Sequence, residues 1–142
     1  MPSFDGKVRS NRILLIVRVA LPDSSDPIHA CHALVDTGAS STVISPAVTT
    51  ALNAVSIGVR TVGTASQPSV AADQYVLDIH IPVETSHSGP DGEPVKGSYV
   101  HKQRVTAVQL PIGDGTYDVL LGMDVFSQHH ISMHSGQFHM SV

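Results

Sequence analysis

Apolar residues in this chain come in short runs rich in valine and isoleucine, most of them ended by proline, glycine, serine or aspartate. This pattern limits the possible folds, because β-branched side chains suit a pleated surface and the turn residues cut most runs below helix length. Residues 13–21 form the first run and stop at Pro22-Asp23, where Ser24, Ser25, Asp26 and Pro27 supply a turn. A return strand is expected over 29–35. Residues 70–81 alternate at period two, with Tyr75, Leu77, Ile79 and Ile81 on one face and Gln74, Val76, Asp78 and His80 on the other. Further strands are expected at 56–63, 104–110 and 117–121, and a final hairpin at 131–133 and 137–140 turning at Gly136. Helices are confined to two short stretches. Ser45-Pro46 has the composition of a cap followed by a first-turn proline, with Ala47, Val48, Ala51 and Leu52 facing inward, and a small helix is expected over 123–129. Residues 84–97, rich in serine, glycine and proline, read as a surface excursion.

At 142 residues the chain suffices for one domain with its own core, but not comfortably for two. Apolar residues make up 42% and charged ones 14%, which excludes a charge-dominated disordered tail. Net charge is −4 and the eight Lys plus Arg never gather into a stripe, so nucleic acid is not an expected partner. The first apolar run contains Arg18 and is too short to span a bilayer. No membrane association is expected, and a cytoplasmic location is the default. Cys31 is the only cysteine, which removes an intrachain disulfide and reads as a small buried hydrophobe. There are nine histidines, among them His129, His130, His134 and His139, but strand alternation would scatter their rings over different faces. No metal and no cofactor is expected.

The chemistry concentrates at Leu34-Val35-Asp36-Thr37-Gly38-Ala39-Ser40-Ser41-Thr42. Two aliphatics lead into an acid, and burying an ionised carboxylate is costly unless donors or a shared proton stabilise it. Glycine at 38 lets the backbone approach the carboxylate closely. On spacing alone the tripeptide has two readings: a strand-ending Asx-type turn, or an acid held ready for chemistry.

Together with Leu120-Leu121-Gly122, which begins 84 residues after Asp36, the motif resembles the retropepsin-like aspartic peptidases. Their pattern is two aliphatics, Asp-Thr-Gly-Ala, and a later pair of aliphatics followed by glycine. Thr42-Val43-Ile44-Ser45 and Leu121-Gly122-Met123-Asp124-Val125 look most like the cellular DNA-damage-inducible and bacterial branches. The resemblance covers most of residues 12–142, leaving 1–11 as a polar N-terminal segment. It implies an all-β, single-domain closed acid-protease barrel with short helices.

The resemblance also implies an aspartic endopeptidase in which Asp36 is the catalytic carboxylate. Thr37, Gly38, Ala39, Leu120, Leu121 and Gly122 would support it. Only one such motif is present, since Asp114-Gly115-Thr116 has a different residue order. The partners implied are a second copy of the chain, supplying the other carboxylate across a two-fold axis, and a peptide or protein substrate. Gly38, Ser40 and Ser41 would contact that substrate, with Val62, Gly63, Thr64, Ala65 and Ser66 covering it as a flap. Viral members commonly carry acids where this chain has Ser40 and Ser41, and an arginine where it has Met123, so their ion pair is absent on both sides. The competing class is a catalytically silent peptide-binding or dimerisation domain on the same scaffold; a histidine-based metal protein is a third.

Overall fold

The computed structural model describes residues 3–9, 12–63, 69–112, 115–134 and 137–141. They form ten strands and two short helices: β1 (Ser3–Arg9), β2 (Arg12–Ala20), β3 (Ile28–Val35), β4 (Val43–Ile44), α1 (Pro46–Leu52), β5 (Gly58–Val62), β6 (Val70–Ser88), β7 (Pro94–Gln109), β8 (Val119–Leu121), α2 (Met123–Phe126), β9 (His130–His134) and β10 (Gln137–Ser141). The strands join in one mixed sheet of order β5-β6-β7-β4-β8-β3-β2-β1-β10-β9. Most neighbours are antiparallel, while β3 with β8 and β4 with β7 are parallel.

The expected closed barrel is not formed. A barrel needs every strand to have two neighbours at a consistent stagger. Here β6 pairs back onto β2 and β1, which folds the sheet over, but β5 is held only by β6 and β9 only by β10 among the described residues. The architecture is therefore a folded, mostly-β sheet with two open ends.

The core is centred where the sheet folds over and β6 meets β2. Leu15, Val17 and Val19 of β2 alternate inward and meet Leu77, Ile79 and Ile81 of β6, all 1% exposed or less. Each such side chain contributes about 1.5–3 kcal/mol relative to exposure. The opposite face of β6, with Gln74, Val76, Asp78 and His80, is also covered at Asp78 and His80. Asp78 is buried there, accepting the Asp23 amide at 2.9 Å and Arg104 Nε at 3.0 Å.

Helix α1 begins with Pro46 and ends at Asn53, whose left-handed φ of 52° closes the last turn. Val48 and Leu52 point inward, but Ala47 and Ala51 are exposed, so the apolar stripe is narrower than expected. The excursion over 84–97 is instead mostly strand. The β6–β7 ladder continues through Glu84↔Ser98 to Ser88↔Pro94, and only a tight turn closed by Gly89 N–H to Glu93 O (2.7 Å) remains. Main-chain pairing needs no apolar side chains, which is why composition misread it. The expected final hairpin is β9–β10; its turn at 135–136 lies outside the described residues. Among the described residues no helix is long and apolar enough to cross a membrane.

Candidate active site

Asp36 stands directly beyond β3, where the parallel β3–β8 ladder ends. Leu34 pairs with Leu120 and Val35 with Leu121, and the Asp36 amide extends the ladder by donating to Leu121 O at 3.0 Å. The chain then turns, with Ala39 N–H bonded to Asp36 O at 3.2 Å and Gly38 N–H donating to Asp36 Oδ1 at 2.9 Å. A β-carbon on Gly38 would come within 3.2 Å of that oxygen, so this approach is tight for any residue larger than glycine. Asp36 is half-buried and Thr37 is exposed. The Thr37 hydroxyl makes no hydrogen bond among the described residues, and the turn is held by the Ala39-to-Asp36 backbone bond and the Asp36 carboxylate.

Gly122 fixes the underside of this loop. A β-carbon there would lie 2.8 Å from Ala39 O, Ser41 C and Ser41 O, all backbone atoms that no side-chain rotation can move. That close passage lets Met123 N–H reach Ala39 O at 2.8 Å and Asp124 N–H reach Ser40 O at 3.2 Å. Asp124, to which the sequence pattern assigns no role, also supports the loop. Its carboxylate accepts three donors: the Thr42 amide at 2.9 Å, the Thr42 hydroxyl at 2.9 Å and the Val125 amide at 3.0 Å. Thr42 is fully buried, so both of its donors depend on that carboxylate. An acid in the first turn after the glycine was the available signal.

Beside the loop opens a cleft of about 290 Å³. Gly38, Ala39, Ser40 and Ser41 form one side, while Arg60, Val62 and Gly63 at the end of β5 face them above Val108 and Leu110. The structure thus brings together the substrate-contact candidates Gly38, Ser40, Ser41, Val62 and Gly63. Thr64, Ala65 and Ser66 lie outside the described residues.

The sequence of residues 26–125 matches the aspartyl protease family and spans both the Asp36 loop and the Gly122 crossing. The chain belongs to the aspartyl proteases. Its fold is similar to that of a retropepsin-like aspartic protease from Rickettsia conorii, with a TM-score of 0.58 at 13% identity over 99% of this chain and 91% of that one. Among curated proteins, none matches the sequence significantly.

Around the Asp36 loop, other polar and titratable side chains have structural surroundings. Burial, with a smaller contribution from Asp118, pushes the Cys31 thiol up to about 12, so it stays protonated and packs against the core. Asp118 ties β8 to α1, accepting Ser45 Oγ at 2.9 Å. Ser45 occupies the cap position as expected, yet this bond takes the hydroxyl away from the helix amides. Of the C-terminal histidines, His129 bonds Gln103 Oε1 at 2.8 Å and meets the His101 ring edge-on at 5.4 Å. Asp114 lies outside the described residues.

Proposed function

We propose that this aspartyl protease is a homodimeric endopeptidase that hydrolyses peptide bonds with a pair of Asp36 carboxylates, one from each copy. The observation that carries the reading is the Asp36 loop, braced by Leu121 and Gly122 and opening beside a cleft. Residues 12–142 would be the peptidase domain, and the sequence around Thr42 and Met123 supports a place near the DNA-damage-inducible and bacterial branches.

Hydrolysis by this route needs two carboxyl groups around one water. The ionised member accepts a proton from the attacking water, and the protonated member donates to the carbonyl oxygen as the tetrahedral intermediate forms. Two carboxylates a few Å apart cannot both ionise cheaply, so they share a proton. A two-fold axis beside the exposed Thr37 supplies the second carboxylate and gives that hydroxyl partners across the interface. The peptide would lie extended along the cleft, pairing with the backbone at Gly38 while side chains alternate into pockets. Val62 and Gly63, leading into 64–66, would cover it.

The test is cleavage of a diverse peptide library by wild type and Asp36→Asn. The variant should fold normally and lose at least about a hundredfold in rate, because an amide cannot exchange the proton. Equal hydrolysis by a folded Asp36→Asn protein excludes the mechanism. Binding without hydrolysis by wild type would identify a silent peptide-binding domain.

A further inference from the structure

Among the described residues, Arg60 is the one ionisable side chain lining the cleft. It sits on β5, an edge strand, and shares with Val62 the face that period-two alternation turns toward the same side. Across the cleft it meets only neutral groups, Gly38, Ser40 and Ser41, and the floor at Val108 is apolar. The guanidinium donates from Nη1 to Ser41 Oγ at 3.2 Å, one bond to a neutral acceptor from a group with five N–H donors. It forms no ion pair with a carboxylate among the described residues; Arg104, by contrast, is paired with both Asp23 and Asp78. Residues 64–68, which follow β5 and Gly63, read Thr-Ala-Ser-Gln-Pro and bring no acid by sequence.

An exposed arginine poised over a neutral cleft has unused capacity for a planar, doubly accepting anion, the geometry of a carboxylate. We propose that Arg60 determines specificity, selecting peptides that carry an aspartate or glutamate side chain a few residues from the bond to be cleaved. This rests on the peptidase reading of the site. Asp36 does not oppose the selection strongly. A shared proton leaves the pair with one net charge, and an extended peptide advances about 3.3 Å per residue. A side chain two or three residues away is therefore separated from that charge by about a Debye length at physiological salt. The guanidinium contact is direct and charge-assisted. In a symmetric dimer the second Arg60 would repeat the preference on the other side of the scissile bond.

The experiment uses one set of peptides that differ only in Glu, Gln or Lys, scanned through the positions flanking a cleaved bond. The readout is the Glu/Gln ratio of kcat/KM within each protein, so changes in overall rate cancel. Wild type should favour Glu at one position or a symmetric pair by about threefold to tenfold, and the preference should shrink in high salt. Arg60→Gln should bring the ratio to about one and Arg60→Glu should shift the preference to Lys. In parallel, binding of labelled Glu and Gln peptides to Asp36→Asn is followed by fluorescence anisotropy, with Arg60→Gln added to the same background. A ratio near one in wild type, a Glu preference that survives Arg60→Gln, or no measurable binding of the Glu peptide overturns the role of Arg60. Absence of hydrolysis with Arg60-dependent binding intact strikes the peptidase reading alone.

Discussion

The β-carbon that Gly122 lacks would lie 2.8 Å from the carbonyl oxygen of Ser41. Because the opposing atoms are backbone, even alanine at 122 must push the Asp36 loop off β8, breaking the approach that gives Met123 N–H its bond to Ala39 O. Gly122→Ala should therefore cost about 1–3 kcal/mol of stability and displace the carboxylate. Denaturant unfolding and peptide hydrolysis check both. An unchanged midpoint with unchanged rate would mean that the loop is not packed against residue 122.

Thr42 and Asp124 form the next layer of support. Removing the carboxylate in Asp124→Ala leaves the buried Thr42 amide and hydroxyl without acceptors, an expected loss of about 1–3 kcal/mol. Asparagine should rescue little. Thr42 N–H and Val125 N–H approach different oxygens of Asp124, so either orientation of the amide sets its NH₂ against a backbone donor. Urea titration of the two variants decides it, and a wild-type midpoint for Asp124→Asn would refute the arrangement.

Acid should lower the stability of the protein in two steps. Burial lowers the pKa of His80, helped by Lys102 and Arg18 and opposed by Asp78; burial and His101 lower that of His129, opposed by a Ser141 backbone bond. The folded state prefers both rings neutral, so their contribution is complete above the unfolded value of about 6.5 and is lost progressively as pH falls below it. For Asp78, burial acts upward, but the bond from Arg104 and the Asp23 amide prevail and hold it below the ordinary carboxylate value. Its contribution is present above about pH 3.9 and goes as pH falls through the lowered folded pKa. Melting temperature against pH should show both steps, and His80→Gln with His129→Gln should flatten the first. Persistence of the first step in that double variant would assign it to other groups.

What the sequence made legible followed from local chemistry. Period-two alternation found β6 through Ile81, and two aliphatics before Asp36 found the end of β3. Residues 3–9 gave no such signal, because β1 is fixed by its partners: Ser3–Lys7 pair with β10 and Lys7–Arg9 with β2. The open sheet was equally hidden, since the motif around Asp36 constrains only the crossing of β3 and β8, not how the distant β5 and β9 end. At the site, Gly122 was visible as part of the pattern of two aliphatics and a glycine; the backbone contacts that exclude a side chain there come from the fold. Asp124 and Arg60 were not visible, since a surface-type charge acquires its role from what tertiary folding sets beside it.

The proposed sharing of one site by two chains can be tested by subunit mixing. Each chain carries one Asp-Thr-Gly motif, so a two-carboxyl site needs two copies. Equal amounts of wild type and Asp36→Asn, allowed to exchange subunits, give about one quarter of dimers with both carboxylates by random pairing. Activity should fall to about one quarter of an equal total of wild type, because mixed dimers hold one carboxyl and one amide and cannot share a proton. Independent monomers would keep about one half. Tagged-subunit capture verifies exchange, and total protein is held well above the concentration at which dimers dissociate. An exchanged mixture that retains half of the activity would exclude the shared site and require a second acid within one chain.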